Sequence, residues 1–192
     1  MRNLLMAALS AVLLFAAVPA ALAADPAPGA VKITDPENTI YLDLKDGHRV
    51  IIKLLPNVAP QTVGRIKKLT REGFYNGIIF HRVIPDFMAQ TGDPTGTGMG
   101  GSDYADLPAE FSSVPFERGT LGLARAESPN SGNSQFFICF KDSSFLNGNY
   151  TVFGQVISGM EYVDQIAPGE PPANPDKIVR MQVAADADKA KQ

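Results

Sequence analysis

Short alternating runs limit what this chain can fold into. Thr39–Leu44, Arg49–Leu55, Ile78–Val83, Phe87–Thr91, Thr120–Ala124, Ser134–Phe140, Thr151–Ile157 and Ile178–Val183 are each a handful of residues long, with Gly, Pro, Asp and Asn between them. Successive side chains on a strand point to opposite faces, so runs of this kind read as half-buried strands that must share one core. Asp46 and Gly47 separate the first two runs, and Asp-Gly between alternating segments is a hairpin signal because the turn needs positive φ. Two stretches follow a helical spacing instead. In APQTVGRIKKLTREGF, Val63, Ile66 and Leu69 recur on one side, Pro60 suits the first turn and Gly73 the exit, while the lysines and arginines read as a solvated face. Gly159–Ile166 repeats the pattern with Met160, Val163 and Ile166. Many short strands with two helices predict a mainly β fold, a closed antiparallel β-barrel capped by the two helices.

The chain opens with a segment that does not belong to that fold. Arg2 supplies a positive start, Leu4–Val18 is almost wholly apolar, and Ala21-Leu22-Ala23 forms a small-residue cleavage site, so residues 1–23 read as a secretory signal peptide. An uncleaved membrane anchor is the alternative, and Pro19 and the cleavage site argue against it. A lipid anchor on a cysteine at that site is excluded, because the only cysteine is Cys139. One domain is then expected over 37–184, after a flexible Pro- and Ala-rich leader at 24–36 and before a disordered Ala, Asp and Lys tail at 185–192. Losing Arg2 leaves 16 of the 17 basic residues against 20 acidic ones, a balance that argues against nucleic acid. With a single cysteine no internal disulfide can form, so an apolar core must hold the domain together, with Cys139 buried and inert.

One cation stands out within the strands. In FHRVIPDFMAQTGD, from Phe80 to Asp93, the two-residue period places Phe80, Arg82 and Ile84 on one face and His81 and Val83 on the other. Pro85 and Asp86 turn the chain into Phe87–Thr91, where Met88 and Gln90 share a face. A guanidinium beside Met, Phe and Gln makes a shallow apolar pocket with a few fixed donors, suited to a neutral peptide rather than a phosphate. A lone arginine on such a strand is most often a plain surface residue, so downstream context decides. In Ser134–Phe140, SQFFICF, Gln135, Phe137 and Cys139 share a face, and Phe145, Leu146, Asn147, Gly148 and Tyr150 follow in a turn-rich loop.

Other chemistries find little support. GTGMGG, Gly96–Gly101, formally matches a dinucleotide fingerprint, but SDYADLP follows where a helix must open, so it reads as a flexible glycine loop beside the pocket. The two histidines, His48 and His81, lie in no nucleophile motif, and His81 reads as a packed, hydrogen-bonded residue rather than a base. The carboxylates have no metal-gathering spacing, so no metal and no cofactor is expected. Asn149-Tyr150-Thr151 is a sequon better read as a chance match.

FHRVIPDFMAQTGD, GLARAESPNSGNSQFFIC (Gly122–Cys139) and FLNGNYTVFGQV (Phe145–Val156) together resemble the cyclophilins, peptidyl-prolyl isomerases, in unbroken motif order from Asn38 to Val183. The resemblance implies the barrel architecture, isomerisation of Xaa-Pro bonds, and Arg82 as the donor to the prolyl nitrogen. It places the proline ring among Phe87, Met88, Phe137 and Leu146. Gln90 and Gln135 match the family's peptide-binding amides, and Ala124 with the backbone of Arg125 matches the segment that pairs with the peptide. Three positions depart from the commoner pattern: Phe145 for tryptophan, Tyr150 for histidine and Arg125 for asparagine. They affect ligand preference at the rim, and weak cyclosporin binding is expected. The partners implied are proline-containing peptides and unfolded exported proteins, met by a soluble monomer in the periplasm, with release into the medium as second choice. A peptide-binding chaperone or scaffold without turnover is the alternative from another class.

Overall fold

The computed structural model describes residues 31–187; the expected signal peptide at 1–23, residues 24–30 of the expected leader at 24–36 and residues 188–192 of the expected tail at 185–192 lie outside the described residues. Among the described residues are eight strands: β1 (Thr39–Asp43), β2 (Arg49–Leu54), β3 (Arg82–Ile84), β4 (Met88–Thr91), β5 (Thr120–Leu123), β6 (Phe136–Cys139), β7 (Val152–Ser158) and β8 (Arg180–Val183). They form one antiparallel sheet in the order β3-β4-β6-β5-β7-β2-β1-β8. The β1–β2 turn forms as its Asp-Gly pair predicts, with Asp46 at φ 59° and Gly47 at φ 75°.

The expected closed barrel is an open, curled half-barrel. β3 and β8 are its two edges, and among the described residues the stretch from Ile79 through β3 meets the segment before β8 in isolated pairs such as Ile79–Lys177 and Val83–Gly169 and in backbone bonds such as Phe80 N–H to Asp176 C=O (2.8 Å). The reason is chemical. Pro168, Pro171, Pro172 and Pro175 crowd the segment that would have to complete the ladder, and proline has no N–H to donate.

Helix α1 (Pro60–Arg71) starts at its proline and ends before Gly73, whose φ is 73°. Val63, Ile66 and Leu69 enter the main core with Ile40, Leu42, Ile52, Leu54, Phe80, Phe136, Ile138, Phe153 and Met181. Its cationic face is tied down rather than merely solvated: Glu37 takes Lys67 at 2.6 Å and Arg71 at 2.8 Å, and Arg65 donates to the Ala105 carbonyl. Arg71 and Lys67 hold the Glu37 carboxyl down at about 2. The second helix, α2, is only Met160–Val163, although Val163 and Ile166 are buried as its pattern requires. A third, α3, covers Ala184–Ala187 at the start of the expected tail, where Ala184 is buried and Asp186 accepts from Arg71 at 2.8 Å.

A smaller core lies on the other face of the sheet. β6 serves both: Phe136 and Ile138 join the main core, while Phe137 and Cys139 join Met88, Phe116, Leu146 and Val152. Burial pushes the Cys139 thiol up to about 11, which leaves it inert. Gly122 on β5 pairs with Phe137, and a Cβ there would overlap the Phe137 ring and stand 2.7 Å from that of Phe116. Gly122→Ala should therefore lower stability by about 1 to 3 kcal/mol through overpacking. Denaturant unfolding checks this, and a variant as stable as the parent would mean the two rings have room to withdraw.

Candidate active site

Strand register builds the site. Arg82 pairs with Gln90, Gln90 with Phe137, and Phe137 with Gly122, one row across four strands. Direct cross-strand partners share a face, so the cation, the amide and the aromatic ring come to the same side of the sheet. Ile84, Met88 and Cys139 form the adjacent row. Phe80, expected on the Arg82 face, is instead wholly buried in the main core, because the ladder begins only at Arg82.

A pocket of about 100 Å³ opens over these rows, lined by Arg82, Phe87, Met88, Gln90, Ala124, Arg125, Phe137, Leu146 and Tyr150. Its floor is Met88, Phe137 and Leu146, all buried, with the last placed by a short 3-10 turn at Ser144–Leu146. Phe116 stacks beneath Phe137 at 5.7 Å, and Tyr150 meets its edge at 5.8 Å. Arg125 lies 4.6 Å over the Tyr150 ring and donates to the carbonyls of Asn149, Ala126 and Glu127, which fixes one wall. Phe145 is a rim residue: 68% exposed, it packs on Phe87 with ring centres 5.3 Å apart.

Gln135 lines the neighbouring groove rather than the pocket itself. Its oxygen accepts from Gln90 at 2.8 Å, and its amide donates to the carbonyls of Gly98 and Gly100 at 3.0 and 2.8 Å. Arg82 donates its Nε–H to Glu170 at 2.7 Å, and neither Nη nitrogen has a partner among the described residues. His81 is buried as expected, but neither ring nitrogen has a hydrogen-bond partner among the described residues. Burial pushes its imidazole below the ordinary value, so the ring is neutral packing beneath Gly98.

Two site residues escaped the sequence reading. Glu170 sits in a proline-rich segment with no periodicity, 88 positions from its partner. Asp93 ends the β4 hairpin and organises the glycine loop. Almost fully buried, it accepts from Thr95 N–H and Oγ1 (both 2.8 Å) and from Gly98 N–H (2.6 Å). The loop is thus built around a carboxylate, not loose, and no helix follows it. No group of His, Cys, Asp and Glu among the described residues gathers to hold a metal.

A pocket with an apolar floor, walled by two arginines and the Gln90 amide, fits a neutral ring carried on an extended peptide. Residues 39–183 match the family model for cyclophilin type peptidyl-prolyl cis-trans isomerase/CLD. The chain belongs to the cyclophilin family. It is 55% identical over 168 residues to a Brucella suis protein named "Probable peptidyl-prolyl cis-trans isomerase", covering 79% of this chain and 85% of that one. It is 44% identical over 134 residues to peptidyl-prolyl cis-trans isomerase B of Bacillus subtilis, covering 69% and 92%. Among solved structures, a cyclophilin from Hirschia baltica superposes with a TM-score of 0.73 at 29% identity, covering 79% of this chain and 76% of that one. A Cryptosporidium parvum cyclophilin studied in the presence of the dipeptide Ala-Pro gives 0.70 at 28%, covering 76% and 98%. This cyclophilin is an enzyme, a peptidyl-prolyl cis-trans isomerase.

Asp93 gives the site an acid limit. Burial pushes its carboxyl up, and the donors of Thr95, Gly100 and Gly98 more than offset this, leaving it at about 2. A carboxylate held below its ordinary value of about 4 stabilises the fold fully above that pH, and the contribution disappears as pH falls toward 2. Asp93→Asn, whose amide turns a donor toward N–H groups, should cost about 1 to 3 kcal/mol at neutral pH. Unfolding curves at several pH values should show the gap between parent and variant closing in acid. A constant gap would place the anchoring of the loop elsewhere.

Proposed function

We propose that this cyclophilin isomerises Xaa-Pro bonds of exported proteins in the periplasm, with Arg82 as the catalytic donor. The proline ring lies against Phe137, Met88, Leu146 and Phe87, and the chain on either side of it runs along Gln90, Gln135, Ala124 and Arg125. Export rests on the signal-like segment at 1–23. A monomer handling unfolded clients is the simplest form of this role. The Ala-Pro dipeptide used with the Cryptosporidium parvum relative supports a proline-containing ligand.

What carries the reading is a cation at the edge of an apolar pocket with both Nη nitrogens unpartnered among the described residues. Rotation about the prolyl amide is slow because resonance must be broken, a barrier of ~20 kcal/mol. In the twisted state the nitrogen becomes pyramidal and regains its lone pair. A donor aimed at it binds that state better than either planar one, which is what lowers a barrier. The rigid fork of the guanidinium lets one N–H face the nitrogen while another holds a nearby carbonyl. Such a charge-assisted bond contributes about 1.5 to 3 kcal/mol. A groove that only held peptides would gain nothing from a donor at that nitrogen, which separates the enzyme from the scaffold.

Arg82→Ala should lose most of the turnover of a short Xaa-Pro peptide with the fold intact, and Arg82→Lys should not restore it, since a point charge on a flexible stem lacks the fork. Near-parental turnover in the lysine variant would rule out the role given to the guanidinium.

Phe145 bears on cyclosporin. Where relatives carry tryptophan an indole N–H can donate to a ligand carbonyl, and this chain has no tryptophan. An unpaired carbonyl costs about 1 to 3 kcal/mol, and the exposure of Phe145 puts this case at the low end, roughly a tenfold loss of affinity. Titrating cyclosporin in the isomerase assay should show weak inhibition of the parent and tighter inhibition of Phe145→Trp. Equal, tight inhibition of both would exclude the indole as the determinant.

A further inference from the structure

The group that orients Arg82 comes from the far end of the chain. Glu170 belongs to APGEPPANP, Ala167–Pro175, the proline-rich segment lying where a closing strand would run. Gly169 and Val83 exchange backbone hydrogen bonds in both directions, Val83 N–H to Gly169 C=O at 2.8 Å and Gly169 N–H to Val83 C=O at 2.9 Å. One step along this antiparallel pair places Glu170 opposite Arg82, so the main chain makes them neighbours. The side chains complete the pairing at 2.7 Å, Nε–H to Oε2.

The way they pair matters. Two other arginines use two nitrogens on the two oxygens of one carboxylate, Arg118 meeting Asp164 through Nη1 and Nη2 and Arg49 meeting Asp43 through Nε and Nη2, while Arg71 divides Nε and Nη2 between Asp186 and Glu37. Arg82 uses Nε alone. Side-on pairing through Nε holds the guanidinium plane while leaving the N–H groups of both Nη nitrogens directed to a ligand. An arginine half-exposed on a sheet edge and free of any partner would sample many rotamers and would have to be immobilised each time a peptide bound.

We propose that Glu170 is a positioning residue for isomerisation, its carboxylate fixing the Arg82 guanidinium so that the Nη groups face the prolyl nitrogen before the substrate arrives. The proposal rests on Arg82 being the catalytic donor. Glu170 touches no substrate and acts only through Arg82.

Both partners are half-exposed, so the effect is moderate. Glu170→Ala should lower kcat for a short Xaa-Pro peptide about two- to fivefold, the range a water-exposed ion pair supports, with KM near the parental value. Glu170→Gln, which keeps an oxygen at the same reach, should recover most of the turnover. Nitrogen-15 NMR supplies a readout independent of turnover. The Arg82 Nε–H signal, assigned by its absence in Arg82→Lys, should be resolved and slowly exchanging in the parent and in Glu170→Gln, and should collapse into the free-arginine envelope in Glu170→Ala. Thermal melting should be unchanged, because Glu170 is exposed. Parental kcat in Glu170→Ala, a loss confined to KM, or an unmoved Nε–H signal would each overturn the proposal. Arg82→Ala run alongside separates the two ideas. Parental turnover there removes Arg82 from the reaction, whereas its loss together with parental kcat in Glu170→Ala overturns the positioning role alone.

Discussion

Everything at this site depends on one row of the β-ladder, Arg82–Gln90–Phe137–Gly122. Backbone hydrogen bonds between β3, β4, β6 and β5 set the spacing of a cation, an amide, an aromatic floor and the glycine that makes room for it. The same strands supply Phe136 and Ile138 to the main core from their opposite face. Because the side-chain period of a strand is two residues, a slip of one position would exchange core for pocket along the whole of β6. Burial of the core therefore enforces the geometry of the pocket.

Features whose cause is local were legible in the residues. Asp46-Gly47, the Pro60 to Gly73 helix and the two faces of SQFFICF each rest on turn chemistry or on periodicity within one segment, and each formed as read. The loop residues Leu146 and Tyr150 are different, since no periodicity assigns a side chain in a turn-rich stretch to a pocket. Their assignment followed from likeness to the cyclophilins, and both line the pocket over the Arg82 row. The structure departs from expectation where partners lie far apart in sequence. Glu37 gathers Lys67 and Arg71 from a face that looked solvated, and Arg71 reaches on to Asp186 in the expected tail. Asp93 turned a glycine loop into an ordered one. A hydrogen bond from a later backbone amide to a buried carboxylate leaves no trace in hydropathy.

The open edge and the completed site have a common origin. Pro168, Pro171, Pro172 and Pro175 deprive Ala167–Pro175 of the N–H groups that a ladder with β3 requires, so closure stops at isolated pairs. Gly169 still donates across to Val83, immediately beside Arg82. A regular strand there would have covered the edge with backbone. The interrupted one instead brings a single anionic side chain to the one cation of β3, and brings it to Nε rather than to the fork. On the proposed mechanism, in which Arg82 is the one donor, that donor must be held at its base and free at its tip. The proline-rich segment meets both needs by failing to become a strand.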